Sequence, residues 1–273
     1  VTATVSAGGH RLAVERLGRW APGEPVLVFL HEGLGSISMW KDFPVALAAA
    51  AGLPALVYDR YGHGRSDPLE APRAADFLER EATIVLPELL ALEGITRPVL
   101  VGHSDGGSIA LLHAATFPDS PVACVTLAAH VLFEPAMRAG VGGVRERFRT
   151  DPELRRRLGR HHRDVDRLVE DWTGIWLAPD RPEWTMVDKL AAITCPVLVL
   201  QGERDEHGTA VHVDAIRAGV GGRVETLVLK GVGHVPHLDA GDQVVAAITR
   251  FLAPADDRQL AQDNPQSCRD ASS

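Results

Sequence analysis

The chain has 273 residues, 45% of them hydrophobic, and a net charge of −8. This composition excludes disorder of the whole chain and supplies a core for one large α/β domain or two small ones. The acidic balance, with no basic stripe outside residues 145–163, argues against nucleic acid as a partner, and apolar runs of only strand length argue against a membrane span.

The first residues, Val1-Thr-Ala-Thr-Val-Ser, lack a basic stretch followed by an apolar block, so no signal peptide is expected. The three cysteines, Cys124, Cys195 and Cys268, are far apart and give no disulfide framework. Both features predict a cytoplasmic setting. Residues 3–20 predict a short antiparallel unit turning at Gly8-Gly9. Val26-Leu-Val-Phe-Leu is a continuous apolar run, as a strand covered on both faces requires, and it ends in His31-Glu32-Gly33-Leu34-Gly35-Ser36. Trp40–Ala51 predicts a helix closed by Gly52.

Ala55-Leu-Val-Tyr-Asp is a second buried strand that runs into Arg60-Tyr-Gly-His-Gly-Arg-Ser-Asp. Residues 74–93 show helical periodicity, with Pro87 expected to bend or split the helix. A third strand, Val99-Leu-Val, ends at Gly102-His103-Ser104-Asp105-Gly106, and a good helix begins at Ser108. This is Gly-x-Ser-x-Gly in the strand–turn–helix context that the motif needs. The turn is so tight that side chains at the two glycine positions would collide with the strand and the helix. Val122–Ala129 is the next strand and ends near His130.

From Phe133 to Asp188 the composition shifts to arginine, tryptophan and helix formers without a β run. We read 133–188 as a helical insertion over the sheet edge, and most of its arginines as a solvated face. His161-His162 reads as part of that polar face. Strand character resumes at Pro196-Val-Leu-Val-Leu-Gln-Gly and at Val224-Glu-Thr-Leu-Val-Leu, which lead to Asp205 and His234, and Ala240–Leu252 closes the domain. The polar stretch 254–273 is expected to form a loose tail. Strands alternating with helices predict a mainly parallel sheet covered on both faces, with the working site beyond the carboxyl ends of its strands. The loops at 31–36, 59–66, 104, 205 and 234 all fall at such ends.

The elbow Gly-His-Ser-Asp-Gly-Gly, the loop Tyr-Asp-Arg-Tyr-Gly-His-Gly-Arg-Ser at 58–66, Gln-Gly-Glu-Arg-Asp at 201–205 and Gly-Val-Gly-His at 231–234 together resemble the α/β-hydrolase superfamily over about residues 10–253. The resemblance implies an eight-stranded, mostly parallel sheet, with 1–132 and 189–253 as core and 133–188 as a helical cap. It makes Ser104 the nucleophile, His234 the base and Asp205 the acid that orients it. His237 is the fallback base and Glu134, after the strand that follows the elbow, the alternative acid. His103 becomes a support residue, and the 59–66 loop a brace for the elbow.

By position, the backbone N–H groups of Asp105 and Gly33 would form the oxyanion hole, with Leu34 next in line. Relatives usually carry His-Gly where this chain has His31-Glu32, so Glu32 either turns into an ion pair or reaches the pocket. Leu34, His130, Trp172 and Trp176 are candidate pocket residues, and Phe133, Met137 and Phe148 could add to its wall or form the insertion's own core. No histidine pair has metal-ligand spacing and no phosphate-binding fingerprint is present, so no metal and no cofactor are expected. The expected activity is a serine hydrolase acting on a small-molecule ester or thioester. The alternatives are a C–C hydrolase, a lyase or a cofactor-free peroxidase on the same three residues, or a hydrolase-fold protein that binds a signal molecule.

Overall fold

The computed structural model describes residues 2–253. Eight strands form one sheet: β1 (Thr2–Ala7), β2 (His10–Leu17), β3 (Pro25–Leu30), β4 (Ala55–Tyr58), β5 (Arg97–His103), β6 (Ala123–Leu127), β7 (Val197–Gly202) and β8 (Val224–Leu229). Their order is β1-β2-β4-β3-β5-β6-β7-β8. β2 runs antiparallel to β1 and β4, and every pairing from β4 across to β8 is parallel.

The helices are α1 (Phe43–Ala51), α2 (Phe77–Arg80), α3 (Leu86–Leu92), α4 (Asp105–Thr116), α5 (Pro135–Thr150), α6 (Pro152–Gly159), α7 (Val165–Trp176), α8 (Ala210–Gly219), α9 (Pro236–Asp239) and α10 (Gly241–Leu252). Period-two alternation divides the central strands between two layers. Val26, Val28 and Leu30 of β3 pack with Leu78, Leu86, Ile109 and Ile216 on one face. Leu27 and Phe29 pack with Phe43, Leu47, Val244 and Ile248 on the other.

Two helix boundaries differ from the sequence reading, and the interruption expected at Pro87 is present. Lys41, at φ 55°, leaves the helical region, so Trp40 belongs to a separate 3-10 turn and α1 starts at Phe43, next to a proline whose missing N–H costs nothing there. Residues 77–92 form two α segments joined by a wider π turn, Glu81–Val85, just ahead of Pro87, which has no N–H for the ladder. The closing helix is preceded by the short α9. The tail expected at 254–273, with Cys268, lies outside the described residues.

The insertion between β6 and β7 carries α5, α6 and α7 and rejoins the core through an isolated bridge, Leu132 to Thr185. Among the described residues no helix is long and apolar enough to cross a membrane.

Candidate active site

Ser104 sits between β5 and α4 with φ 52° and ψ −119°, a backbone state that costs a non-glycine residue on the order of 1–3 kcal/mol. The surrounding packing enforces it. A Cβ on Gly102 would fall 2.2 Å from the Gly106 carbonyl oxygen, and one on Gly106 would fall 1.9 Å from the Leu30 carbonyl oxygen. The turn is further tied by Ser104 N–H to the Leu127 carbonyl at 2.8 Å, and by the Ser108 hydroxyl to the His130 carbonyl at 2.6 Å.

The loops after β7 and β8 bring two more side chains to the serine. His234 Nδ1 donates to Asp205 Oδ1 and Oδ2 at 2.8 and 2.9 Å, which leaves Nε2 to accept from Ser104 Oγ at 3.0 Å. The Asp205 carboxylate also accepts from the Gln201 side chain at 2.7 Å and from the backbone N–H groups of His207 and Gly208 at 2.8 and 3.2 Å. Burial alone would raise its pKa. The His234 bond and charge, with the His207 N–H, outweigh burial and hold it at about 2.

The competing residues lie elsewhere. His237 is buried among Trp40, Phe43 and His103, and burial with the charge of His103 lowers it to about 3. Glu134, the alternative acid, is held away from His234. It accepts from the Thr209 N–H and hydroxyl at 2.6 and 2.9 Å and lies 2.9 Å from His212 Nε2, so its carboxylate closes the start of α8.

A cleft of about 120 Å³ opens above Ser104. Ser104, Asp105, His234, Glu32, Gly33, Leu34, His130 and His207 border its lower part. Met137, Val141 and Val144 reach it from α5, and Trp172 and Trp176 from α7. Among the described residues, the backbone N–H groups of Gly33, Leu34 and Asp105 have no hydrogen-bond acceptor. Trp172 fastens the insertion to this floor: its indole N–H donates to Asp105 Oδ2 at 2.9 Å, and its ring fills the space that a Cβ on Gly33 would need. His130 is 4% exposed and neither ring nitrogen meets a partner among the described residues; burial, with the charges of His212 and His234, pushes its pKa far down.

Glu32 takes both of the courses left open for it. It borders the cavity, and its Oε2 lies 3.3 Å from His103 Nδ1. The 59–66 loop braces the 31–36 loop rather than the elbow: Arg60 donates to the Glu32 carbonyl at 2.7 Å, and His63 donates to the Gly33 carbonyl at 3.0 Å. His162 is no polar face either. It is buried, accepting from Gly64 N–H at 3.0 Å and donating to the Leu34 carbonyl at 2.9 Å.

Phe133 and Phe148 miss the cavity. Phe133 stacks on Trp176 from behind, and Phe148 lies under Arg155. His207, Val141 and Val144 escaped the sequence reading. His207 stands two residues beyond Asp205 in the same loop, and Met137, Val141 and Val144 follow one another at helical spacing of four and three, so both signals were present. Among the described residues no group of three or more His, Cys, Asp or Glu is placed to hold a metal ion. Cys124 and Cys195 are free and buried in the core.

Sheet, elbow and strand-end loops together define a hydrolase-type α/β scaffold. The chain belongs to the alpha/beta hydrolase family, whose model matches residues 27–247. It is 27% identical over 257 residues to the mouse (Mus musculus) serine hydrolase BPHL, covering 92% of this chain and 86% of that one. It is 33% identical over 136 residues to the 2-succinyl-6-hydroxy-2,4-cyclohexadiene-1-carboxylate synthase of Enterobacter sp. (strain 638), covering 48% of this chain and 50% of that one. A solved 2-hydroxy-6-oxo-6-phenylhexa-2,4-dienoate hydrolase from Rhodococcus superposes with a TM-score of 0.77 at 17% identity, covering 92% of this chain and 98% of that one, a likeness of fold alone.

Proposed function

We propose that the protein is a serine hydrolase that cleaves a small carboxylic ester or thioester through an acyl-enzyme on Ser104. The observation that carries this reading is the continuous hydrogen-bonded line from Ser104 Oγ through His234 to Asp205, at the floor of a cavity with apolar walls. A serine hydroxyl is too weak a nucleophile without a base in reach. His234 Nε2 takes its proton as Oγ attacks the carbonyl carbon, and Asp205 holds the imidazole in the Nδ1–H tautomer and stabilises the imidazolium. The N–H groups of Asp105 and Gly33 receive the oxyanion. His234 then returns the proton to the departing alcohol or thiol, and water repeats the sequence on the acyl-enzyme to release the acid.

In this reading the helices of the insertion act as a cap whose residues Met137, Val141, Val144, Trp172 and Trp176 hold the apolar part of the substrate, while His130 meets a polar group on it. The relative named a serine hydrolase agrees with a serine nucleophile.

Hydrolysis of p-nitrophenyl acetate and butyrate tests the proposal. Sustained turnover that disappears in Ser104→Ala is expected. A stoichiometric burst with no turnover points instead to a signal-binding protein, and turnover that survives in Ser104→Ala overturns the assignment.

A further inference from the structure

We propose that Glu32 and His103 form a charged positioning pair behind the candidate triad, fastening the His234 loop and the Gly33 loop to the nucleophile elbow through the two N–H groups of a protonated His103 ring. The inference rests on the reading of Ser104 and His234 as nucleophile and base. His103 Nε2 lies 2.7 Å from the His234 carbonyl oxygen, which can only accept, so this nitrogen carries hydrogen. His103 Nδ1 faces Glu32 Oε2 at 3.3 Å. A bare Nδ1 there would set a lone pair against a carboxylate, so a second proton sits between the two groups.

The neighbouring histidines show the contrast. His31 accepts from Arg60 N–H at 3.0 Å and donates to the Glu32 carbonyl at 2.8 Å, and His162 likewise accepts on one nitrogen and donates on the other. Each is satisfied as a neutral ring. His63 lies between two carbonyls with no carboxylate, and burial with the charge of Arg60 pushes its pKa well below the ordinary value, so carbonyls alone do not charge a buried ring and the Glu32 carboxylate is what sets His103 apart.

The groups facing the pair decide where its proton resides. His103 is packed against Trp40 from the turn before α1, His237 from α9 and the His234 ring, and it lies in the field of Asp205 and His207 from the loop after β7. Glu32 is in the field of His31, His103 and His237, and its charge reaches His161 and His162. Burial holds His237 at about 3 and His207 at about 4, so neither competes for the proton near neutrality. Burial alone would lower His103 and raise Glu32. Their mutual bond and charge reverse both shifts, with the His234 carbonyl and Asp205 adding to the rise of His103. Both shifts favour the charged pair, which loses its proton as the pH rises through the elevated value of His103.

The pair also sits where it can matter. His103 immediately precedes Ser104, Glu32 immediately precedes Gly33, and the His234 carbonyl belongs to the base itself. One ion pair thus ties nucleophile, oxyanion loop and base loop together.

Two measurements on the full chain test this. In 15N-histidine-labelled protein, His103 (assigned by its absence in His103→Asn) should show two protonated ring nitrogens at pH 7, and in Glu32→Gln it should be neutral. A bare Nδ1 in the parent at pH 7 overturns the proposal, and this readout does not depend on which substrate the enzyme takes. In p-nitrophenyl butyrate turnover, Glu32→Gln should lower kcat about 10- to 100-fold, the scale of a small misplacement of reacting groups, with KM changed far less. The alkaline limb of its kcat profile should move to lower pH. Unchanged kcat, or an equal loss at every pH with the limb unmoved, would overturn the positioning role. Absence of p-nitrophenyl butyrate turnover in the parent itself would instead reject the Ser104 reading.

Discussion

Ser104, Asp205 and His234 stand on the ends of parallel strands, whereas Met137, Val141, Val144, Trp172 and Trp176 reach the same cavity from helices of the insertion. The floor is fixed by backbone. Gly102 and Gly106 leave no room for a single added carbon, and the strands that lead to the three residues, β5, β7 and β8, belong to one sheet, with β6 between β5 and β7. The wall is fixed by side chains. Trp172 bonds to Asp105, Arg73 pairs with Asp171 at 2.7 Å, and Arg138 donates to the Leu177 and Ala178 carbonyls at 3.2 and 3.1 Å. A site built this way separates chemistry from selection. Changes to the floor should act on kcat, and changes to the wall should act first on KM.

The sharpest test of the floor compares two carboxylates at strand ends. Asp205→Asn keeps the size but leaves His234 in the wrong tautomer, and kcat should fall about 10,000-fold, as such a change does in a comparable triad. Glu134→Gln, which disturbs only the start of α8, should stay within about threefold. Gly33→Ala probes the junction of floor and wall. The new methyl would fall 2.1 Å from Trp172 Nε1, so the loop or the indole must move. Loss of one oxyanion donor costs about 100- to 1000-fold in kcat, and a fall of that order is expected at constant pH.

Trp172→Phe keeps the ring but removes the donor to the buried Asp105 carboxylate. It should cost about 1–3 kcal/mol in denaturant unfolding, the penalty of an unsatisfied buried acceptor, and should raise KM more than it lowers kcat. A kcat collapse with KM unchanged would erase the division between wall and floor.

Acid should expose the Asp205 interactions without any loss of packing. A carboxyl held at about 2 in the folded chain contributes stability that is fully present above the ordinary carboxylate range and disappears as the pH falls toward 2. The contribution is on the order of 2 kcal/mol, so the Tm gap between parent and Asp205→Asn should narrow steadily from pH 5 to pH 2. The smallest effect is expected on the outer face of the insertion. Arg156 is exposed and, among the described residues, pairs only with Glu153 one turn away, so Arg156→Ala should leave Tm and both kinetic constants where they are.

The same division explains what the sequence reveals. β3 and β5 announce themselves because a strand covered on both faces must be apolar throughout, and the glycines of the elbow because no other residue fits the approach of α4 to Leu30. Those constraints are local, and they made the strand ends and the residues that follow them legible. The insertion obeys weaker ones. Its helices carry broad polar faces, and although the spacing of Met137, Val141 and Val144 marks one face of α5, Phe148 continues that spacing and turns to Arg155 instead, so spacing alone does not say where the cavity ends. Glu32 and His103 each stand out in the sequence, but their pairing is hidden. Each sits in a recognisable motif, but their pairing depends on loops 71 residues apart meeting at the sheet edge.

The central claim is that acyl transfer passes through Ser104. Its most direct measurement is acid quenching of the parent during p-nitrophenyl butyrate turnover, followed by digestion and mass analysis of the peptide containing Gly102–Gly107. The account predicts one butyryl group, located on Ser104 and absent from Ser104→Ala, with more of it in parent samples quenched where deacylation is slow. A butyryl group on another residue, or burst kinetics with that peptide unmodified, would contradict it.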